Sequence, residues 1–262
     1  MSASALQVAR TGLDAQDKRM QVIANNLANA NTTAFKSGRA NFATLAYQDA
    51  RVAGQQSTAA SNYATGLNLG TGVAIQGTTN SQTQGSLTTT GNTFDLAISG
   101  AGYFQVASPD GTLEYTRAGN FSLSSTGQIV TSDGYVVQPP ITIPTGAGSV
   151  TVGNDGTVSA MLAGQSTATQ IGQLQVANFP NPSGLQASSG NYLQETTASG
   201  AATLGTAGQA GLGTISQGML ESSNVDITQE LVDMIECQRS YEINSKMVSA
   251  VDDMLKNANQ TL

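Results

Sequence analysis

The hydrophobic pattern changes period twice along the chain. In the last stretch, 224–262, Ile227, Met234, Tyr241, Val248 and Leu255 recur every seven residues, and Leu231 fills one of the alternating positions between them. That spacing keeps one seam of a helix apolar. Neither Pro nor Gly interrupts the run. Asn224 or Asp226 is placed to cap its start, because either side chain accepts a bond from a free backbone N–H. A second apolar row, Met247, Val251 and Met254, lies beside the first, and a helix apolar on two faces needs more than one neighbour. At the other end Leu6, Leu13, Met20 and Leu27 also recur every seven residues, with Ala9, Gln16, Ile23 and Ala30 between them. This predicts a helix over 3–29. Gly12 lies inside it at a cost of roughly 1 kcal/mol against Ala, which points to a close approach of another element. Asn25, Asn26, Asn29 and Asn31 end it, since their side chains compete for backbone bonds.

Between the termini the period falls to two, and Gly70-Thr71-Gly72-Val73-Ala74-Ile75 starts a first strand. Phe94 to Ile98 alternates as a half-buried strand does. Gly100-Ala101-Gly102 turns into Tyr103–Val106, Pro109-Asp110-Gly111 makes a hairpin turn before Leu113–Arg117, and further Gly turns separate Phe121, Ile129 and Tyr135–Val137. Regular short strands with Gly turns predict a β sandwich or barrel-like domain. Pro139, Pro140 and Pro144 break the chain, and the strands after them, Ser149–Val152, Thr157-Val158 and Gln173–Val176, read as a second β module. Tyr47 to Gly66, with Gln55, Gln56 and Tyr63, is polar and reads as a loop or linker.

The expected fold class is therefore α+β, with coiled-coil-like terminal helices paired together, a central all-β domain and a second inserted β module. The expected divisions are 1–36 for the first helix, 37–80 for an extended linker containing 47–66, 81–147 with 200–219 for the central β domain, 148–199 for the inserted module, and 220–262 for the last helix.

Charge sharpens this division. The net charge is −7 and only 10% of residues are charged, against roughly 25% in typical chains. Arg117 is the only base between residues 52 and 219. Asp95 and Glu114 are its candidate partners. Segment 1–45 carries a net +3 and segment 220–262 a net −5, which favours pairing of the two helices within or between subunits. Asp14–Lys18, Glu242–Lys246 and Asp252–Lys256 are i,i+4 pairs.

The chemistry that remains is narrow. The chain has no His and one Cys, which removes His-based triads, His-ligated zinc and an intramolecular disulfide. Cys237 reads as a small buried hydrophobe within the helix. No basic patch suits nucleic acid. No apolar run reaches the ~18 residues of a membrane span, and Gln7 and Arg10 interrupt any signal-peptide core. Asp133 and Asp155 sit beside turn glycines and make a poor catalytic pair. No cofactor, metal or catalytic activity is expected.

Several motifs then resemble a known family. Thr11-Gly12-Leu13, Ala24-Asn25-Asn26-Leu27-Ala28-Asn29-Ala30-Asn31-Thr32 and Phe35-Lys36 resemble the N-terminal signature of bacterial flagellar axial proteins, the rods and hooks. Gln238-Arg239-Ser240-Tyr241-Glu242-Ile243-Asn244-Ser245-Lys246 resembles their C-terminal signature. Tyr115-Thr116-Arg117 with Gly119 and Phe121, and Asn178–Pro182 with Gly184-Leu185, resemble internal motifs. Ala34 stands where the family usually has Gly, and Leu6-Gln7 where Leu-Trp is common. The stretch Tyr47 to Gly66 resembles one that marks the distal rod subunit against shorter-looped relatives.

The resemblance implies a structural subunit of the distal rod, polymerising into a helical tube that carries motor torque to the hook and encloses the export channel. Leu6, Leu13, Met20, Ile23, Leu27, Ile227, Leu231, Met234, Tyr241, Val248 and Leu255 are the expected assembly residues. The implied partners are other copies, proximal rod proteins, the hook protein, the surrounding outer-membrane and peptidoglycan ring proteins, and the flagellar export apparatus. The implied location is the periplasm-spanning rod of the basal body, reached without a cleavable signal peptide. The alternatives are a proximal rod or hook protein of the same family, an exported β-rich adhesin or surface-layer subunit, and a hydrolase using Asp or Glu alone.

Overall fold

The computed structural model describes residues 2–58, 61–162 and 167–260. Residues 59–60 of the polar stretch, 163–166 of the expected inserted module, both chain ends and the side chain of Leu255 lie outside the described residues. The fold is α+β, with a helix near each terminus and a predominantly β region between them. The chain forms two compact units, one of residues 1–28, 38–80 and 226–262, the other of 29–37 and 81–225. No described helix is long and apolar enough to cross a membrane.

The first unit holds helix α1, Ser2–Ala28, and helix α2, Ile227–Gln260. They pack side by side in opposite directions, Arg19 meeting Asp233 at 3.4 Å while Gln16 meets Cys237 and Gly12 meets Asn244. A Cβ at Gly12 would lie 3.2 Å from the Asn244 carboxamide nitrogen, so the small residue does mark a close approach. Asp226 caps α2, its carboxylate accepting from the N–H groups of Thr228 at 2.9 Å and Gln229 at 3.3 Å. Asn224 has a different task, described below.

Residues 38–80 do not form an extended linker. The described residues among them make an antiparallel ribbon in which Gly38–Thr44 pairs with Val73–Asn80. It continues as Tyr47–Arg51 with Leu67–Gly70 and ends as Gln56–Thr58 with Ser61–Asn62. Composition hid the outer part because Tyr47–Arg51 and Leu67–Gly70 are almost wholly exposed on both faces, which leaves no alternation to read. Cross-strand backbone bonds satisfy the chain instead. Gly72, at φ +121°, passes so close to Thr11 that any Cβ would overlap its hydroxyl, and the Thr11 hydroxyl in turn accepts from the Val73 N–H at 3.4 Å.

The β unit is organised on Tyr103–Ala107, which pairs with Leu113–Thr116 on one edge and with Val136–Val137 and Gln175–Asn178 on the other. Alternation then sorts its side chains. Phe104 and Val106 enter the main core with Leu96, Ile98, Val137 and Ile215, while Tyr103 joins Tyr115 and Phe179 in a smaller one. Phe104 meets Phe121 edge-on at 5.1 Å, and Tyr115 meets Phe179 at 4.8 Å.

The expected inserted module divides differently from its sequence boundaries. Ala147–Val152, Thr157–Leu162 and Thr169–Gln173 form a three-stranded sheet, but Gln175–Asn178 and Leu193–Gln194 pair into the central sheet. Val152, Val158 and Leu174 enter the same core as Phe104. Three short strands bury too little apolar surface to close a core alone.

Candidate assembly site

The residues expected to act in assembly fall into two groups by what surrounds them. The N-terminal motif is tied into the fold. Asn26 is 2% exposed. Its carboxamide nitrogen donates to Gly38 O at 2.9 Å and to Glu230 Oε1 at 2.8 Å, and its oxygen accepts from Gly38 N at 2.8 Å. It thereby joins the end of α1 to the first residue of the ribbon and to α2. Burial holds the Glu230 carboxyl above its ordinary range, with the Asn26 bond acting in the opposite direction. Asn25 and Asn31 are exposed, and Asn29 accepts from the Thr32 hydroxyl at 3.1 Å.

The following residues, 29–37, belong to the β unit. Ala34 N donates to Glu221 O at 2.8 Å, and Asn224 N donates to Phe35 O at 3.2 Å. Ser37 N donates to Asn224 Oδ1 at 2.7 Å, and the Asn224 amide nitrogen donates to Ser81 O at 3.1 Å and Thr83 O at 3.0 Å. At the centre of this network lies the Glu221 carboxylate, 1% exposed. Lys36 Nζ reaches it at 2.6 Å, Arg117 Nη1 at 3.2 Å and Gly85 N at 2.9 Å. Two cations and a backbone donor on two oxygens make a satisfied buried ionic cluster. Burial lowers the Lys36 pKa, with the Glu221 bond opposing it.

Arg117 thus pairs with Glu221, and not with Asp95 or Glu114. Asp95 accepts from Thr90 and Asn92, and Glu114 from Gln194. The true partner lies 104 residues away, beyond any spacing rule. The expected local ion pairs also shift. Lys18 donates to Gln21 at 3.1 Å, and Lys256 lies 3.7 Å from Asp253.

The C-terminal motif and seam are placed otherwise. Gln238, Arg239, Tyr241 and Glu242 are exposed. Of the expected α2 seam, Ile227, Leu231 and Tyr241 are more than 40% exposed, while Met234 and Val248 are half-buried. The seven-residue row turned to α1 is instead Glu230, Cys237, Asn244 and Val251. Cys237 is fully buried, its thiol donating to Gln16 O at 3.2 Å, and burial pushes its pKa up. Small and polar side chains let the two helices approach, which an apolar heptad rule does not rank. On α1, Ile23 is buried and Leu6, Leu13, Met20 and Leu27 are half-buried.

The polar stretch presents apolar groups on a hydrogen-bonded ribbon. Tyr47 is 61% exposed and Val52 56%. Gly54 N donates to Tyr63 O and Tyr63 N to Gln55 O, each at 2.9 Å. The Arg51 guanidinium lies 4.1 Å above the Tyr63 ring centre. Gln56 faces Asn62 across the ribbon, and Gly66 lies where a Cβ would come within 3.0 Å of Arg51 O. Among the described residues no group of His, Cys, Asp and Glu is gathered as a metal site.

Paired terminal helices, a long ribbon and a β unit are accompanied by three family matches. Residues 6–36 match the flagella basal body rod protein family, 97–160 the D1 domain of flagellar hook protein FlgE/F/G, and 216–261 the C-terminal region of the flagellar basal body rod FlgEFG proteins. These define a flagellar rod or hook protein. Two relatives named flagellar basal-body rod protein FlgG are similar over almost the whole chain. That of Buchnera aphidicola (Acyrthosiphon pisum) is 45% identical, over 97% of this chain and 98% of its own. That of Caulobacter vibrioides is 46% identical over 98% of each. The FlgF rod protein of Caulobacter vibrioides is 34% identical, over 94% of this chain and 92% of its own. The chain belongs to the FlgG family of flagellar basal-body rod proteins. It is a structural subunit of the distal rod and not an enzyme.

Proposed function

We propose that copies of this chain polymerise into a helical tube that transmits torque from motor to hook and encloses the export channel. The terminal helices of many copies line that tube, with coiled-coil-like seams between them. The observation that carries the reading is the row of large apolar side chains left exposed along α2, from Ile227 to Met254. Torque transmission needs many modest interfaces that are strong in sum, and repeated apolar faces on a helix supply them. Proximal rod proteins and the hook protein meet the two ends. The outer-membrane and peptidoglycan ring proteins surround the tube in the periplasm, and the flagellar export apparatus delivers the subunits.

In this reading the ribbon tip, 47–66, lies against neighbouring copies through Tyr47, Val52 and Tyr63 and stiffens the tube. Removing residues 226–262 is expected to abolish concentration-dependent association in sedimentation while the β unit keeps its melting transition. Association equal to that of the whole chain would sink the proposal. Deleting 48–65 is expected to leave a polymer of shorter persistence length. Equal stiffness would reduce the ribbon tip to a spacer.

A further inference from the structure

The exposed apolar groups of α2 do not form one stripe. Ile227, Leu231 and Ile235 are spaced i, i+4, i+8 and stack on one side of the helix. They are 46%, 45% and 51% exposed. That side turns polar downstream, with Gln238, Glu242, Ser245 and Ser249. Ile243, Met247 and Met254, with Ala250, stack roughly 140° further round at 3.6 residues per turn. They are 62%, 48% and 62% exposed. Upstream this second side carries Gln229 and Glu236, with Val232 its one apolar member. The α1-facing row lies between the two on the remaining side of the helix. Thus α2 has one apolar flank in its first half and another, on a different side, in its second half.

We propose that these flanks are the two faces of one head-to-tail contact between copies of this chain. The first flank of one α2 seats against the second flank of the next, with the helices parallel. The inference rests on the self-assembly proposed above and specifies its geometry. A stripe on one side would be satisfied by a two-fold dimer and would stop there. Two different complementary faces on one element leave one of each free after every addition, so growth continues.

Charge supports the stagger. Residues 227–238 carry Glu230, Asp233 and Glu236 with no base, whereas the rest of α2 balances Arg239, Lys246 and Lys256 against Glu242, Asp252 and Asp253. In-register packing would set the acidic halves against each other, and the staggered contact sets each against a neutral half. The sixteen residues from Leu231 to Met247 correspond to an axial step of about 24 Å. Each flank exposes on the order of 300 Å² of apolar side chain, so one contact alone buries about half of the roughly 1,200 Å² at which standard specific interfaces begin. A single pair is then weak, and a copy held on both flanks is retained.

The test uses the full chain and two double variants that keep helix propensity. These are Leu231→Gln with Ile235→Gln, and Ile243→Gln with Met247→Gln. All four side chains point to solvent in the single copy, so circular dichroism and the melting transition should match the wild type. Each variant alone is expected to raise the threshold concentration for polymer at least tenfold in sedimentation. An equimolar mixture of the two should give a heterodimer and nothing longer, because only one intact pair of flanks remains. A wild-type chain that assembles together with a double variant that assembles equally well overturns the two-flank contact alone. So does a mixture whose average mass, at concentrations where the wild type polymerises, is no greater than that of either variant alone. A wild-type chain that stays monomeric at every concentration overturns the self-assembly reading as well.

Discussion

The two units of this molecule handle apolar surface in opposite ways. In the β unit the large side chains are used up internally. Phe104, Leu96, Ile98, Leu174 and Ile215 are at most 1% exposed. Among the described residues, only Leu113, Leu123, Met161 and Leu204 of that unit are exposed large hydrophobics. In the helical unit the buried apolar residues are mostly small, Ala9, Ala15 and Cys237 with Ile23 and Val251, while Ile235, Ile243, Met254, Tyr47 and Leu69 are exposed. A unit that completes its core within one chain is stable alone. A unit that leaves its large side chains outside gains its full burial only against something else, as the proposed polymer supplies.

The most disruptive way to break the contrast is to open the closed unit. Glu221→Ala would leave Lys36 and Arg117 as buried cations without an acid. It is expected to cost the β unit about 3–5 kcal/mol, read as a shifted denaturant midpoint with the helical signal of the first unit retained. The corresponding change in the open unit is Asn26→Ala, which strands Gly38 N–H and the Glu230 carboxyl. Unpaired buried polar groups make this about 1–3 kcal/mol, seen as faster amide exchange at Gly38 and along α1.

Ala34→Gly acts in the other direction. Ala34 sits at φ +56°, a left-handed conformation that costs a side-chain-bearing residue about 1 kcal/mol relative to Gly. The variant should raise the β unit's melting temperature, and a lowered one would show that the buried Ala34 methyl outweighs the strain.

The smallest effect concerns pH. Burial raises the Glu230 pKa above its ordinary value of 4.5. The folded state then holds this proton more readily than the unfolded chain. Its ionisation penalty is present above the raised value, fades as pH falls through it and is gone below 4.5. The helical unit should gain slightly in stability over that window relative to Glu230→Gln, which lacks the slope. Parallel pH profiles of the two proteins would contradict the assignment.

Both helices, the α+β class and the family were legible in the sequence, because helical periodicity, caps and short motifs are local. Asp226 caps α2 as its position suggests, and the strands from Leu96 to Val137 follow their alternation and Gly turns. The outer part of the ribbon was not legible, since cross-strand backbone bonds carry it and the side chains of Tyr47–Arg51 and Leu67–Gly70 are almost all exposed. Nor were the unit boundaries. Cuts placed by composition after 36 and before 220 would strip Lys36, Glu221 and Asn224 from the β unit. The sequence by itself determined which segments are helical, which are extended, and which family this chain joins. Only the tertiary structure decided that Arg117 meets Glu221, that Asn26 holds Gly38 and Glu230, and that the row of α2 facing α1 is Glu230, Cys237, Asn244 and Val251. Those choices depend on how closely two surfaces pack and on which distant donor reaches a buried acceptor, and neither is encoded in the spacing of residues along one segment.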